Sequence, residues 1–215
     1  MSETKLVIFD CDGVMFDSKN ANRMYYDHIL AALGHPPMDE EELEYVHIHN
    51  VLDSVRHILR RYPEDIERAE RYRADLDYHP FLQYMRMEPD LIDFLEFLVP
   101  RCDRAISTNR TTTMRNILDI FGLAPYFGKV VTAFDVARPK PHADALVAIL
   151  EHFSRQVEEA IYIGDSIVDQ QHAGSVGMRL IAFKNPNLDA AYHVNSFMEI
   201  ARLPLFGEAV DEGIG

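Results

Sequence analysis

Cysteine is scarce in this chain. Cys11 and Cys102 are the only two in 215 residues, and neither belongs to a Cys-x-x-Cys pair. That excludes a disulfide framework and makes a reduced, cytoplasmic setting the expectation. Long apolar runs are missing as well. No stretch reaches the roughly 18–20 residues of a membrane-crossing helix, and the first residues hold no signal-peptide-like apolar segment. No internal repeat or low-complexity tract is present, which excludes repeat arrays. Basic residues are outnumbered, with 21 Lys and Arg against 35 Asp and Glu and a formal net charge of −14. This balance argues against a nucleic-acid partner and against binding to anionic membranes. A phosphorylated ligand would need local positive charge, from a metal or from a few placed Lys and Arg.

What the chain does have is a core-forming composition, 47% apolar and 26% charged, over a length that suits one large domain or a domain carrying an insertion. The stretch around which it is organised is KLVIFDCDGVMFDS, residues 5–18. Its apolar run, residues 6–9, reads as a strand buried on both faces, as in a parallel sheet. Asp10 and Asp12 follow at its C-terminal end, where open α/β sheets bind ligands. Carboxylates this close are costly to desolvate unless a cation or a shared proton offsets them. Cys11, between them, reads as a small strand-end residue pointing into the core.

Residues 19–87 hold no good buried-strand candidate, and helical spacing dominates. Tyr25, Ile29, Ala32 and Leu33 form one stripe, closed by Gly34. Further helices are expected over 39–45, 53–61 and 63–76. This block reads as a small helical subdomain inserted after the first strand. From residue 89 onward helices and strands alternate. Helices are expected from residue 89, with Leu91, Phe94, Leu95 and Leu98 inward, and over 111–121, 142–153 and 169–176. Strands are expected over 104–108, 130–134, 160–163 and 180–183. Residues 185–215 are read as holding at most one helix, near 194–202, and then a loose acidic tail. The alternation predicts an α/β fold with a doubly wound parallel sheet.

Polar residues recur at the C-terminal ends of these strands: Asp10 and Asp12; Thr108, Asn109 and Arg110; Lys140; and Asp165, Ser166 and Asp169. Parallel strands would bring all of them to one sheet edge. That set is what phosphoryl transfer to a carboxylate requires. An Asp can attack phosphorus, a second acid can protonate the leaving oxygen, and hydroxyl, amide and ammonium groups can hold the phosphoryl oxygens. Oxygen-rich acidic sites suit Mg²⁺.

With its motifs DCDGVMFDS, STN, PKP and GDSIVD in this order, the chain resembles the hydrolases of the haloacid dehalogenase superfamily. The resemblance implies a Rossmann-like core over residues 1–18 and 88–215 and a helical cap over residues 19–87, of the type carried by phosphoglycolate phosphatase and β-phosphoglucomutase. It implies Asp10 as nucleophile, Asp12 as acid/base and, through its backbone carbonyl, a Mg²⁺ ligand, with Asp10 and Asp165 as side-chain ligands. Thr108, Asn109 and Lys140 would bind the phosphoryl group, and Asp169 and Ser166 would support them from behind. Arg110 is read as equally a solvated charge or a substrate contact.

Within that superfamily, Asp12 points to a phosphate ester, because dehalogenating and phosphonate-cleaving members lack an acid there. The expected function is a Mg²⁺-dependent phosphatase acting on a small phosphorylated metabolite, as a monomer or homodimer. A sugar-phosphate mutase and a catalytically weak ligand- or partner-binding protein are the alternatives. The stretch VHIHNV, residues 46–51, lacks the Gly and Arg of the mutases. His47 and His49 within it are read first as ordinary helix-surface residues. Hinges are expected near residues 16–19 and 85–89.

Overall fold

A computed structural model describes residues 3–206 of the chain. Strand β1 (Leu6–Phe9) lies inside a six-stranded sheet. It pairs in parallel with β4 (Asp103–Ser107) on one side and β6 (Ala160–Gly164) on the other. The sheet continues outward to β5 (Lys129–Val131) beyond β4, and to β7 (Arg179–Phe183) and β8 (Tyr192–Val194) beyond β6. Every pairing in it is parallel.

All of β1 is fully buried, as a strand covered on both faces must be. Its side chains alternate. Val7 and Phe9 enter one hydrophobic layer, with α5 (Leu91–Leu98), α6 (Met114–Ile120) and α9 (Phe197–Ile200). Leu6 and Ile8 enter the opposite layer, with α7 (Asp144–Phe153) and α8 (Ile167–Gly174). Phe9 meets Phe94, Phe127 and Phe197 with ring centroids 6.1, 5.6 and 6.0 Å apart. Each such side chain contributes roughly 1.5–3 kcal/mol by leaving water. The result is the expected α/β architecture, a doubly wound parallel sheet with helices on both faces.

Between β1 and α5 the chain forms α1 (Lys19–Leu33), α2 (Glu40–Ile48), α3 (Val51–Ile58) and α4 (Ile66–Asp75). These pack into a hydrophobic cluster of their own around Tyr25, Ile29, Val55 and Leu59. The two connections to this helical segment pair with each other. Strand β2 (Phe16–Asp17) and strand β3 (Arg86–Met87) form a short antiparallel ribbon, at the positions expected for hinges. Gly34 ends α1 in the left-handed conformation at φ +84°, as its place after the stripe requires.

Several expectations need correction. Ala32 is exposed, and Tyr26 and Leu30 point inward with Tyr25, Ile29 and Leu33, so the buried stripe of α1 is wider than the spacing suggested. The third strand stops at Val131 rather than 134. Asp135 explains this: its carboxylate accepts from the Thr132 amide at 2.8 Å and from the Thr132 hydroxyl at 2.6 Å, folding the chain into a turn. The last strand, β8, was not expected at all. It is three residues long and takes its place only by pairing with β7. The helix expected near 194–202 is the single turn α9. The acidic tail from residue 207 on lies outside the described residues.

Candidate active site

Because β4, β1 and β6 are adjacent and parallel, their C-terminal ends deliver Thr108, Asp10 and Asp165 to one edge. Lys140 arrives from the loop between β5 and α7 and is buried there. Its ammonium lies 2.8 Å from Asp10 Oδ1, 2.7 Å from Asp169 Oδ1 and 3.1 Å from the Tyr162 hydroxyl. Those three directions use up its three N–H donors. Asp169, on the first turn of α8, is fully buried. It accepts from Lys140, from the Tyr162 hydroxyl at 3.0 Å, and from the Ser166 hydroxyl and amide at 2.6 and 3.1 Å. Ser166 in turn accepts from the Asp169 amide, so the two close a capping box that fixes the start of α8.

Asp10, Asp165 and Asp169 each offer an oxygen within 4.8 Å of the others. Burial and the Asp169 charge push Asp10 up to about 7 despite Lys140. Burial, then Asp169 and Asp10, raise Asp165 well above the carboxylate range. Asp169 behaves oppositely. Burial would raise it, but Lys140 and the hydrogen bonds from Lys140, Ser166 and Tyr162 hold it below its ordinary value. Three carboxylates thus share one ammonium, and Asp169 has the larger claim on it. Asp10 shares that ammonium, and Asp165 makes no ion pair with it, so both carboxyls hold their protons more tightly than an ordinary Asp. This donor set fits a hard divalent cation between those two, with Asp169 already committed to Lys140.

The approach of Asp165 to the β1 loop is close enough to dictate a glycine. Gly13 has φ +77°, and a Cβ there would stand 2.0 Å from Asp165 Oδ2. Gly13→Ala combines a left-handed backbone with that clash. It is expected to lower stability by roughly 1–3 kcal/mol, with Asp165 displaced and any turnover at this site reduced about tenfold or more. Thermal unfolding and steady-state assays of the variant check both effects.

Asp12 occupies a different environment. Its carboxylate accepts from Arg110 Nε at 2.7 Å and Nη2 at 2.6 Å, and from the Ser18 hydroxyl. Burial alone would raise its pKa, but Arg110 and these hydrogen bonds hold it below the ordinary value. Arg110 is therefore no solvated charge, since its side chain is only 8% exposed. A chain with few cations had to compensate Asp12 from somewhere, and Lys140 is already taken by Asp10 and Asp169. Ser18 is the helix-capping residue of α1, yet it makes no cap bond because its hydroxyl goes to Asp12.

Thr108 is buried, and its hydroxyl accepts from the Arg110 amide at 3.1 Å. Asn109 donates from Nδ2 to the Lys140 carbonyl at 3.3 Å, while its Oδ1 is buried without a partner. Cys11 is fully buried, as a strand-end core residue should be. Tyr162 and Asn185 were not singled out from the sequence. A tyrosine in the middle of a fully buried strand must find a partner for its hydroxyl, and that was the available signal. Asn185 secures the Asp165 carbonyl at 2.7 Å through a contact the sequence does not announce.

Behind the ion-pair cluster, His172 is fully buried. Its Nδ1 meets the His142 carbonyl at 2.8 Å, so Nδ1 carries the proton, and Nε2 accepts from the Ser107 hydroxyl at 2.9 Å. Burial first, and the Lys140 charge second, lower its pKa to about 4. The unfolded chain takes up that proton near pH 6.5, the folded chain only near 4. Stability held above pH 6.5 is therefore lost as pH falls toward 4. Between pH 7.5 and 4.5 the wild type should lose about 2–3 kcal/mol more than His172→Gln in urea unfolding. Parallel losses in the two proteins would refute the assignment.

A cavity of about 450 Å³, lined by Asp12 but not by Asp10, opens between the sheet edge and the helical segment. Asp12, Arg110 and Asn116 line it from the core; Tyr78, His47 and His49 line it from the segment. The two histidines are thus half-buried cavity residues rather than ordinary surface ones.

Known proteins resemble this chain over most of its length. The chain is 27% identical over 209 residues to a phosphoglycolate phosphatase of Rhodobacter capsulatus, covering 92% of this chain and 94% of the relative. It is 24% identical to the 6-phosphogluconate phosphatase of Escherichia coli, covering 95% of each. A solved hydrolase of the haloacid dehalogenase superfamily, subfamily IA variant 1, from Geobacter sulfurreducens is 37% identical and superposes with a TM-score of 0.83 over 92% of this chain and 98% of its own. The family model described as haloacid dehalogenase-like hydrolase matches residues 7–183, which span the whole strand-end constellation, and the chain belongs to that family.

Proposed function

We propose that this chain hydrolyses small phosphate monoesters through a phosphoryl group carried transiently on Asp10. The observation that carries the reading is the division of labour between two neighbouring carboxylates. Asp10 lies against Lys140 and the acidic cluster, while Asp12 faces the cavity where an alcohol portion fits. An Asp10 oxygen attacks phosphorus and the bond to the alcohol oxygen breaks; Asp12, ionised against Arg110 in the free protein, takes up a proton from water once it is parted from Arg110 and passes it to that oxygen. Water then attacks the phosphoryl group and gives its proton to Asp12. Inorganic phosphate leaves and the Asp10 carboxylate is regenerated.

Lys140 holds Asp10 in place and offsets negative charge as the phosphoryl group arrives. Thr108 and the Asn109 amide stand at the end of β4, beside β1, to receive its oxygens. Asp169 and Ser166 fix Lys140 and the start of α8. Asp10, Asp165 and the Asp12 carbonyl are the ligands we assign to Mg²⁺. Bound there, the ion would neutralise the nucleophile and orient the phosphate. Residues 19–87 act as a cap, with the β2–β3 ribbon as its hinge, closing the cavity against water. The relatives that act on phosphoglycolate and on 6-phosphogluconate support a small phosphorylated metabolite as substrate.

The test is a panel of phosphate monoesters assayed with Mg²⁺ and again with excess chelator. Phosphate release that requires Mg²⁺ is the expected result. Release unchanged by chelator contradicts the metal assignment, and no release from any ester contradicts the function.

A further inference from the structure

We propose that Arg110 is the specificity-determining residue of this enzyme. Its guanidinium, occupied by Asp12 in the free protein, is the receptor for a second anionic group on the substrate's alcohol portion, and that group's arrival releases Asp12 toward the leaving oxygen. The inference rests on the phosphatase reading and adds to it a substrate class: phosphate monoesters whose alcohol carries a carboxylate or another phosphate.

The geometry argues as follows. Arg110 grips both Asp12 oxygens, at 2.7 and 2.6 Å, and Ser18 adds a third donor to Oδ1. An acid/base held on both oxygens is not free to serve a leaving alcohol. A closed ion pair such as this also adds little stability over an apolar pair of the same shape, so stability alone gives no reason for it. What competes for a forked guanidinium is another forked anion, a carboxylate or a phosphate.

Arg110 is also placed to meet one. It lines the same cavity as Asp12. It lies 5.5 Å from the centroid of the Tyr78 ring, and its Nη1 is anchored by Thr113 Oγ1 at 3.2 Å. These contacts keep the guanidinium in position when its partner changes. Arg73, the other arginine in the cavity wall, is held at 2.8 and 3.1 Å by Glu70, which does not line the cavity, whereas the partner of Arg110 does.

Matched ester pairs test this with Mg²⁺ present. 2-Phosphoglycolate is set against 2-hydroxyethyl phosphate, and propane-1,3-diol bisphosphate against 3-hydroxypropyl phosphate, so that the two arms separate carboxylate from phosphate as the second anion. A charge-assisted hydrogen-bond pair predicts a wild-type preference of roughly 10–100-fold in kcat/KM for the doubly anionic member of at least one pair. Because Asp12 must be released, the preference should appear in kcat as well as KM. Arg110→Gln should bring the ratio to about 1, and Arg110→Lys should keep part of it. A wild-type ratio near 1, a preference confined to KM, or a ratio untouched in Arg110→Gln overturns the inference while leaving the phosphatase reading intact. No hydrolysis of any of the four esters overturns both. Should Arg110→Gln not fold, the wild type decides alone: glycolate should inhibit turnover of the neutral ester and ethylene glycol should not, and equal behaviour of the two overturns the inference.

Discussion

Asp10→Asn should abolish turnover, with kcat falling by roughly 10⁴–10⁶-fold, the scale seen when a covalent nucleophile is removed. The amide keeps the size of the side chain and loses the nucleophilic oxygen charge. The same change should make the metal-free protein more stable, not less. Asp10, Asp165 and Asp169 share one Lys140, and burial with the Asp169 charge raises Asp10 to about 7. An ordinary Asp ionises near 3.8 in the unfolded chain, so holding Asp10 ionised in the fold costs stability increasingly as pH rises from about 4 to 7. Asp10→Asn removes that cost. In chelator at pH 8 its unfolding midpoint should lie above that of the wild type, and at pH 4 the difference should vanish. A stabilised but inactive variant is the signature of a functional site held at the expense of the fold. A lower midpoint at pH 8, or activity within tenfold of wild type, contradicts the assignment.

Lys140→Met should have the largest effect on stability. Among the described residues Lys140 is the one cation paired with both Asp10 and Asp169, at 2.8 and 2.7 Å. Removing one partner of a buried ion pair leaves the other unpaired and costs about 3–5 kcal/mol. For a chain of this length that lowers the unfolding midpoint by roughly 6–20 °C. Tyr162 shares the loss, since its hydroxyl is bonded to both Lys140 and Asp169. Unfolding in chelator measures the full effect, and added Mg²⁺ should recover part of it by replacing the missing charge. A drop below about 1 kcal/mol would mean that the cluster is held by something other than this ammonium.

Much of the arrangement could be read before the fold was seen, and the reason is local. Asp10, Thr108 and Asp165 each follow a short apolar run, Lys140 comes in the loop after another, and a parallel sheet converts that repeated position into one shared edge. The first helices of residues 19–87 were legible because Gly34 and Asp39 are local punctuation, the one ending α1 and the other capping α2 with its side chain, whereas α3, expected over 53–61, starts at Val51 because Asn50 caps it. What could not be read depends on partners distant in the chain. Arg110 and Asp12 are 98 residues apart, and nothing near Arg110 distinguishes a surface arginine from a buried one. Strand β8 has three residues and forms because β7 offers a free edge. The early end of β5 rests on one side chain, Asp135, capturing Thr132. His47 and His49 were read as surface residues because helical position alone does not reveal the cavity they share with Asp12.

The central claim is that phosphorus passes through Asp10. Asp12→Asn removes the proton donor of the first half and the base of the second; with radiolabelled p-nitrophenyl phosphate, whose leaving group needs no proton, only the second half is slowed, so a rapid acid quench of that variant with this ester and Mg²⁺ tests the claim most directly. Label bound covalently to the peptide that carries Asp10 is the predicted result. Label on any other residue, or free phosphate released at the wild-type rate with no protein-bound label, would contradict it.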